Sequence, residues 1–135
     1  MFDRLTVGDR TGILLPASCC WIALPASSRL RALRIAEARG CSAIGGPVGR
    51  FAYEGGKLWL TGLERCGGLM PLQEVYPELG ERAVADWLSG TFHAKLDWLC
   101  STGDGGSIFG SELTLTVEYG VVIDLVEKKF DKSSC

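Results

Sequence analysis

The sequence predicts a β-rich α+β fold: a twisted, mainly antiparallel sheet or partly closed β-barrel with one or two short helices. Three observations lead there. Eighteen glycines stand in 135 residues, and glycine is costly inside helices but useful in tight turns. Four Trp, three Tyr and five Phe suit half-buried strand faces. Two stretches read as strand, glycine-bearing turn, strand. Residues 1–135 form a single domain, because two cores in so short a chain would each be too small to offset chain entropy. The charged share of 22% against 47% hydrophobic places the chain among globular domains, away from disorder.

The elements follow in order. Leu5–Val7 and Ile13–Leu15 are strands around a turn at 8–12. Cys20–Leu24 is a further buried apolar run, closed by Pro25. Ser27 or Ser28 caps a short helix through Ala38, with Leu30, Leu33 and either Ala36 or Glu37 on its inner face and Gly40 as its stop. Phe51–Glu54 and Lys57–Thr61 form a hairpin, since Gly55-Gly56 can adopt the positive φ angles a tight turn demands. Pro71 starts a short helix, Leu72–Tyr76, which Pro77 disrupts. Val84–Leu88 is undecided between helix and strand. Thr91–Trp98 alternates as a strand, and a glycine-rich loop at 101–107 follows it. Glu112–Glu118 and Val121–Glu127 make a second hairpin, turning at Tyr119-Gly120, with Leu113, Leu115 and Val117 on one face.

Charge is unevenly placed. Five arginines against Glu37 lie between Arg29 and Arg50, whereas ten acids face only Arg82 and Lys95 between Glu74 and Glu127. The overall net charge of −2 argues against nucleic acid as a direct partner, since that role needs a basic footprint. Cysteines occur at 19, 20, 41, 66, 100 and 135 without any CxxC spacing. With one histidine in the chain, a metal site has few ligands to draw on. We therefore expect no metal and no cofactor, six free thiols and a reducing, cytoplasmic location. The charge-free stretch Thr11–Ser28 superficially imitates a signal peptide, but Asp3, Asp9 and Pro16 count against a leader or a membrane span.

One resemblance is specific. The string Gly46-Pro47-Val48-Gly49-Arg50-Phe51-Ala52-Tyr53-Glu54, followed by Gly56-Lys57-Leu58-Trp59-Leu60-Thr61-Gly62-Leu63, resembles a run in small uncharacterised bacterial proteins. There a GYxATWEI strand precedes GKLYLxGL. Ala85-Asp86-Trp87-Leu88-Ser89-Gly90 resembles their ADWFSG segment, and Gly106–Phe109 with Glu112–Gly120 resembles their GSxYEx(D)LxLx(V/I)ExG run. Phe51 and Tyr53 depart from the Trp-Glu of that pattern, and Phe109-Gly110 from its Tyr-Glu. The resemblance implies a toxin-immunity protein and supplies no catalytic residues.

Known chemistries find little support in the residues. Any His-based general base must be His93, which shares the parity of Lys95 and Asp97 on the expected solvent face of its strand. Asp104 sits in a glycine-rich loop without the Gly-Lys-Ser/Thr of a phosphate loop or the carboxylates of a calcium loop. Cys66, beside Arg65, has no adjacent histidine to activate it. Trp59, Trp87 and Trp98 are expected in the core, although tryptophans also anchor interfaces. We expect no catalytic residue and a non-enzymatic inhibitor, an immunity protein occluding the active site of a cognate toxin or effector. Its expected partner-binding residues are Glu74, Glu78, Glu81, Asp86, Asp97 and Asp104, acids whose convergence on one face would complement a basic protein. The alternatives are a small-ligand-binding or enzymatic barrel-like domain and a structural or oligomerising module.

Overall fold

Nine strands form a single mixed sheet that curls back on itself. The computed structural model describes residues 2–18, 21–38, 46–66, 68–131, 133 and 135. Its strands are β1 (Asp3–Val7), β2 (Arg10–Pro16), β3 (Val48–Glu54), β4 (Lys57–Arg65), β5 (Gly68–Met70), β6 (Ala83–Val84), β7 (Gly90–Ser101), β8 (Ser107–Glu118) and β9 (Val121–Lys129). One helix, α1 (Ser28–Ala38), and two single 3-10 turns, Leu72–Glu74 and Pro77–Leu79, complete the described elements. The path β3-β1-β2-β7-β8-β9-β4 returns to its start because β4 also pairs with β3. The sheet is therefore ring-like, and its closure between β9 and β4 is a single register pair, Lys57↔Val121. Among the described residues every strand pair is antiparallel except β1–β3, which is parallel and joins Arg4–Val7 to Arg50–Tyr53.

The hairpins form where turn chemistry calls for them. Gly55 and Gly56 take φ of 62° and 76° between Glu54 and Lys57, a two-residue turn that only glycine adopts without strain. At the β8–β9 turn Gly120 is joined by Tyr119, held at φ 47°; its N–H donates to Ser89 Oγ at 2.9 Å. Gly12 is needed for another reason. A Cβ there would lie 1.8 Å from the Lys95 carbonyl oxygen, so β2 and β7 can approach only with glycine at that position.

Alternation along the strands sends one set of side chains inward. Leu5, Leu14, Phe51, Leu58, Leu60, Leu96, Leu113 and Leu115 are essentially inaccessible and share one cluster. Leu30 and Leu33 join it from α1, and Leu72, Val75 and Tyr76 from the segment after β5. The undecided segment resolves into the short β6 and a turn whose Ala85 and Leu88 are buried in the same cluster. The helix expected at Leu72–Tyr76 is a 3-10 turn, and Pro77 begins a second one. Ser27 caps α1 by accepting the Leu30 N–H. The third inner position of α1 is Glu37, which is 5% exposed and paired with Arg65 at 3.0 Å. The expected stop at Gly40 lies outside the described residues.

The run after β2 is only partly buried. Ile22 is inaccessible, whereas Trp21 is 48% exposed. Residues 21–27 form no strand; they lie as an extended strap. Side chains hold it in place. Asp3 accepts the Ile22 N–H at 2.7 Å, Trp87 Nε1 donates to the Ala23 carbonyl at 2.8 Å, and Tyr76 Oη donates to the Pro25 carbonyl at 2.7 Å. Asp3 also accepts the Gly49 N–H at 2.7 Å, so one carboxylate on β1 ties the strap to β3. Burial pushes this carboxyl above its ordinary 3.8, and the two N–H donors pull back only part of that rise.

Two sequence expectations are corrected. Cys100 and Cys135 form a disulfide, and Cys66 is also disulfide-bonded, so no described cysteine is a free thiol. Cys19, Cys20 and Cys41 lie outside the described residues. The pairing was invisible in the spacing because tertiary structure creates it. β7, β8 and β9 lie side by side, and the chain leaving β9 returns to β7 with Cα atoms 6.3 Å apart. The second correction concerns Trp98, which is 57% exposed. Asp97 takes φ 61° and the β7–β8 register shifts between Trp98 and Cys100, so alternation breaks just after the buried Leu96. Trp59 and Trp87 are half-buried, with Trp87 packed against the core cluster. No helix among the described residues is long and apolar enough to cross a membrane.

Two outcomes test this account. Asp3→Asn should lower stability at neutral pH by about 1–3 kcal/mol in urea denaturation, because one buried N–H loses its acceptor. The native carboxyl holds its proton to a higher pH than the unfolded one, so its contribution is fully present below 3.8 and declines as pH rises through the native value. The stability gap between wild type and Asp3→Asn should narrow with rising pH in that window; a widening gap would refute the assignment. Separately, Cys100→Ser should remove roughly 4 kcal/mol on the chain-entropy estimate for a 35-residue separation. Thiol titration of the unfolded, unreduced protein should leave Cys66, Cys100 and Cys135 unreactive.

Candidate partner-binding surface

Pro25 is the ridge of a two-sided surface. On one flank Pro25, Glu78, Leu79, Ala83, Val84, Asp86 and Trp87 line a groove of about 370 Å³. On the other, a broader groove of about 710 Å³ runs along α1, where Arg31, Arg34 and Ile35 meet Leu24 and Pro25. Tyr76 lies beneath the ridge, its hydroxyl on the Pro25 carbonyl. Burial pushes this phenol up to about 12; Arg34 acts to lower it and Glu78 to raise it. Arg34 lines one groove and Glu78 the other, and Pro25 is common to both. The basic and acidic halves of the sequence meet here.

Local structure explains the placement. The Pro77–Leu79 turn exposes Glu78, and the tight turn after β6, closed by Leu88 N–H to the Ala85 carbonyl at 3.0 Å, exposes Asp86 beside Trp87. Trp87 cannot swing freely, because its indole N–H is engaged by the strap. Arg82, the base nearest in sequence, turns away. It pairs with Glu54 at 3.1 Å and stacks over the Trp59 ring at 4.1 Å. Among the described residues, no ion pair involves Glu74, Glu78, Glu81 or Asp86. Glu74 lies on the preceding 3-10 turn and Glu81 just after the second, both exposed.

Asp97 and Asp104 do not join this group. β7 runs twelve residues from Gly90 to Ser101; Asp97 lies in its second half and Asp104 in the loop that follows it. There Asp97 is bound by Arg10 at 2.9 Å, and Arg10 also reaches Glu127 at 3.3 Å. Glu127 in turn accepts the Ser111 hydroxyl at 2.9 Å. Asp104 closes its own loop by accepting Thr102 Oγ1–H and the Gly106 N–H, bonds that hold its carboxyl below the ordinary range. Both acids are exposed and already hold local hydrogen-bond partners.

His93 is exposed, and its Nδ1 lies 3.4 Å from Thr114 Oγ1, with no carboxylate among its hydrogen-bond partners. The described residues contain no group of three or more His, Cys, Asp or Glu positioned for a metal. The sequence reading missed the contribution of Arg31 and Arg34. Their signal was present as the basic run, but only the strap places it beside the acids. No protein-family model, curated protein or solved structure matches the chain.

Proposed function

We propose that this protein is a non-catalytic binding protein, an inhibitor of immunity type that occludes the active site of a cognate bacterial toxin. The observation that carries the binding reading is the pair of unpaired acids, Glu78 and Asp86, in a groove floored by the anchored Trp87. A basic protein surface would supply the missing countercharge, and Arg31 and Arg34 across the ridge would meet acids flanking it. A toxin that acts on nucleic acid has such a surface, because it must bind phosphates. Blocking it needs complementary shape and charge and no chemistry from the inhibitor. The toxin assignment itself rests on the resemblance of residues 46–63, 85–90 and 106–120.

The expected cytoplasmic location rested on free thiols. With Cys66, Cys100 and Cys135 in disulfides, an oxidising compartment fits the cysteine chemistry better.

The test pairs this protein with a candidate nucleic-acid-cleaving toxin domain, with association followed by stopped-flow fluorescence. Steering by exposed charges is screened by salt, so the association rate should fall as ionic strength rises. Replacing Glu78 and Asp86 together by Lys should slow association by about tenfold or more at low salt, with the near-ultraviolet circular dichroism unchanged. His93→Ala should leave binding intact. An association rate indifferent to salt and to the double reversal would exclude this surface, and loss of inhibition in His93→Ala with binding and fold intact would exclude a non-catalytic mode.

A further inference from the structure

β9 is paired along its length on one side only. Its side toward β8 is paired from Val121 to Lys129. Toward β4 it makes only the Lys57↔Val121 pair, closed by Leu58 N–H to the Gly120 carbonyl and Val122 N–H to the Gly56 carbonyl, both 2.8 Å. The next places on β4 are taken by β6 at Trp59 and Leu60. The β8–β9 register also shifts, leaving Ile123 as an extra residue on β9. From there β9 has no further strand on that side among the described residues, and it carries exposed Ile123 and Val126.

The backbone phase of this edge follows from the hydrogen bonds. Phe130 donates its N–H to the Gly110 carbonyl in line with the β8–β9 register. Alternate residues of an antiparallel strand point their N–H and C=O groups to opposite sides. Asp124, Val126 and Lys128 therefore turn toward β8, and Leu125, Glu127 and Lys129 turn their backbone groups to the open edge. Such an edge is a template for another strand unless something blunts it, and edge lysines are the usual device.

We propose that the occupant of this edge is the β9 strand of a second copy, paired antiparallel about a two-fold axis at Val126. In that register Leu125 of one copy and Glu127 of the other exchange both backbone hydrogen bonds, and symmetry repeats the exchange. Val126 then faces its own counterpart, and Asp124 faces Lys128 twice over, both on the exposed side of the strand where non-hydrogen-bonded pairs bring side chains closest. Shifting the centre by one residue toward the N-terminus loses the Asp124–Lys128 pairing. Shifting it one residue toward the C-terminus sets Glu127 against Glu127. Within one chain Lys128 lies opposite Glu112 on β8 and 5.2 Å from the Phe130 ring centre; on its open side it meets a carboxylate only in the self-register, which makes a protective charge into a specific one. The Glu127 carboxylate does not oppose this, since it is already held by Arg10 and Ser111.

The experiment is sedimentation equilibrium of the full disulfide-bonded chain with charge swaps on the exposed face of β9. Wild type should be a reversible dimer. Asp124→Lys and Lys128→Asp should each raise the dimer dissociation constant about tenfold, since each replaces attraction by repulsion at both symmetric pairs. The double swap should restore it. Amide exchange supplies an independent readout: Leu125 and Glu127 N–H groups should gain protection with protein concentration, while those of Val126 and Lys128, facing β8, should be protected throughout. A wild type that stays monomeric into the millimolar range, or a dimer unaffected by either single swap, would overturn the proposal. So would a double swap that fails to restore association while its thermal unfolding matches wild type.

Discussion

The Asp3 carboxylate accepts the backbone N–H groups of Ile22 and Gly49 from a position with almost no contact with water. Three separate stretches of chain meet at that carboxylate: the first strand, the strap and β3. A buried charge left unpaired would be expensive, so the group is tolerable only while both donors are present. The parallel β1–β3 seam and the path of the strap are therefore coupled. Loss of one leaves the carboxylate short of a donor and weakens the other. Among the described residues that are buried, the other polar side chains are Glu37 and Ser111, and neither lies on the β1–β3 seam.

The candidate surface inherits its shape from this constraint. Asp3 sets the strap at Ile22, Trp87 holds it at Ala23, and Tyr76 holds it at Pro25. Each anchor reaches a backbone group, so the strap's sequence is less constrained than its course. Ser27 then begins α1 and donates its hydroxyl back to the Val75 carbonyl at 3.3 Å. Arg31 and Arg34 stand on one side of the ridge because α1 starts there. Glu78 and Asp86 stand on the other because the segment from Leu72 to Leu88 fills the gap where β9 diverges from β4. The charge asymmetry of the sequence becomes a surface with two opposite-signed flanks.

The opening between β9 and β4 has a second consequence. A fully paired ring would have no edge, whereas this one closes at a single corner and leaves most of β9 exposed on one side. The wedge of residues 71–88 covers the core within that gap without pairing along β9. Core closure and edge closure are thus separate achievements here, and only the first is complete within one chain.

Local chemistry in the sequence determined much of the architecture. Gly55-Gly56 and Gly120 set the two hairpin turns because glycine accepts their positive φ angles without strain. The alternation of Leu113, Leu115 and Val117 set the inward face of β8, and Ser27 the start of α1. His93 was legible as a surface residue by parity. Other features depend on contacts between distant segments, to which periodicity is blind. The parallel seam at Asp3, the Cys100–Cys135 bond and the bulge that exposes Trp98 belong to this class. So does the division of the predicted acids: Glu78 and Asp86 share a groove because two turns adjoin beside the strap, whereas Asp97 is drawn into Arg10 and Asp104 into its own loop. Sequence could say which side chains are charged and which face of a strand they occupy. Only the tertiary structure decided which charges already have partners, because a countercharge such as Arg10 is brought to Asp97 across 87 residues by strand pairing.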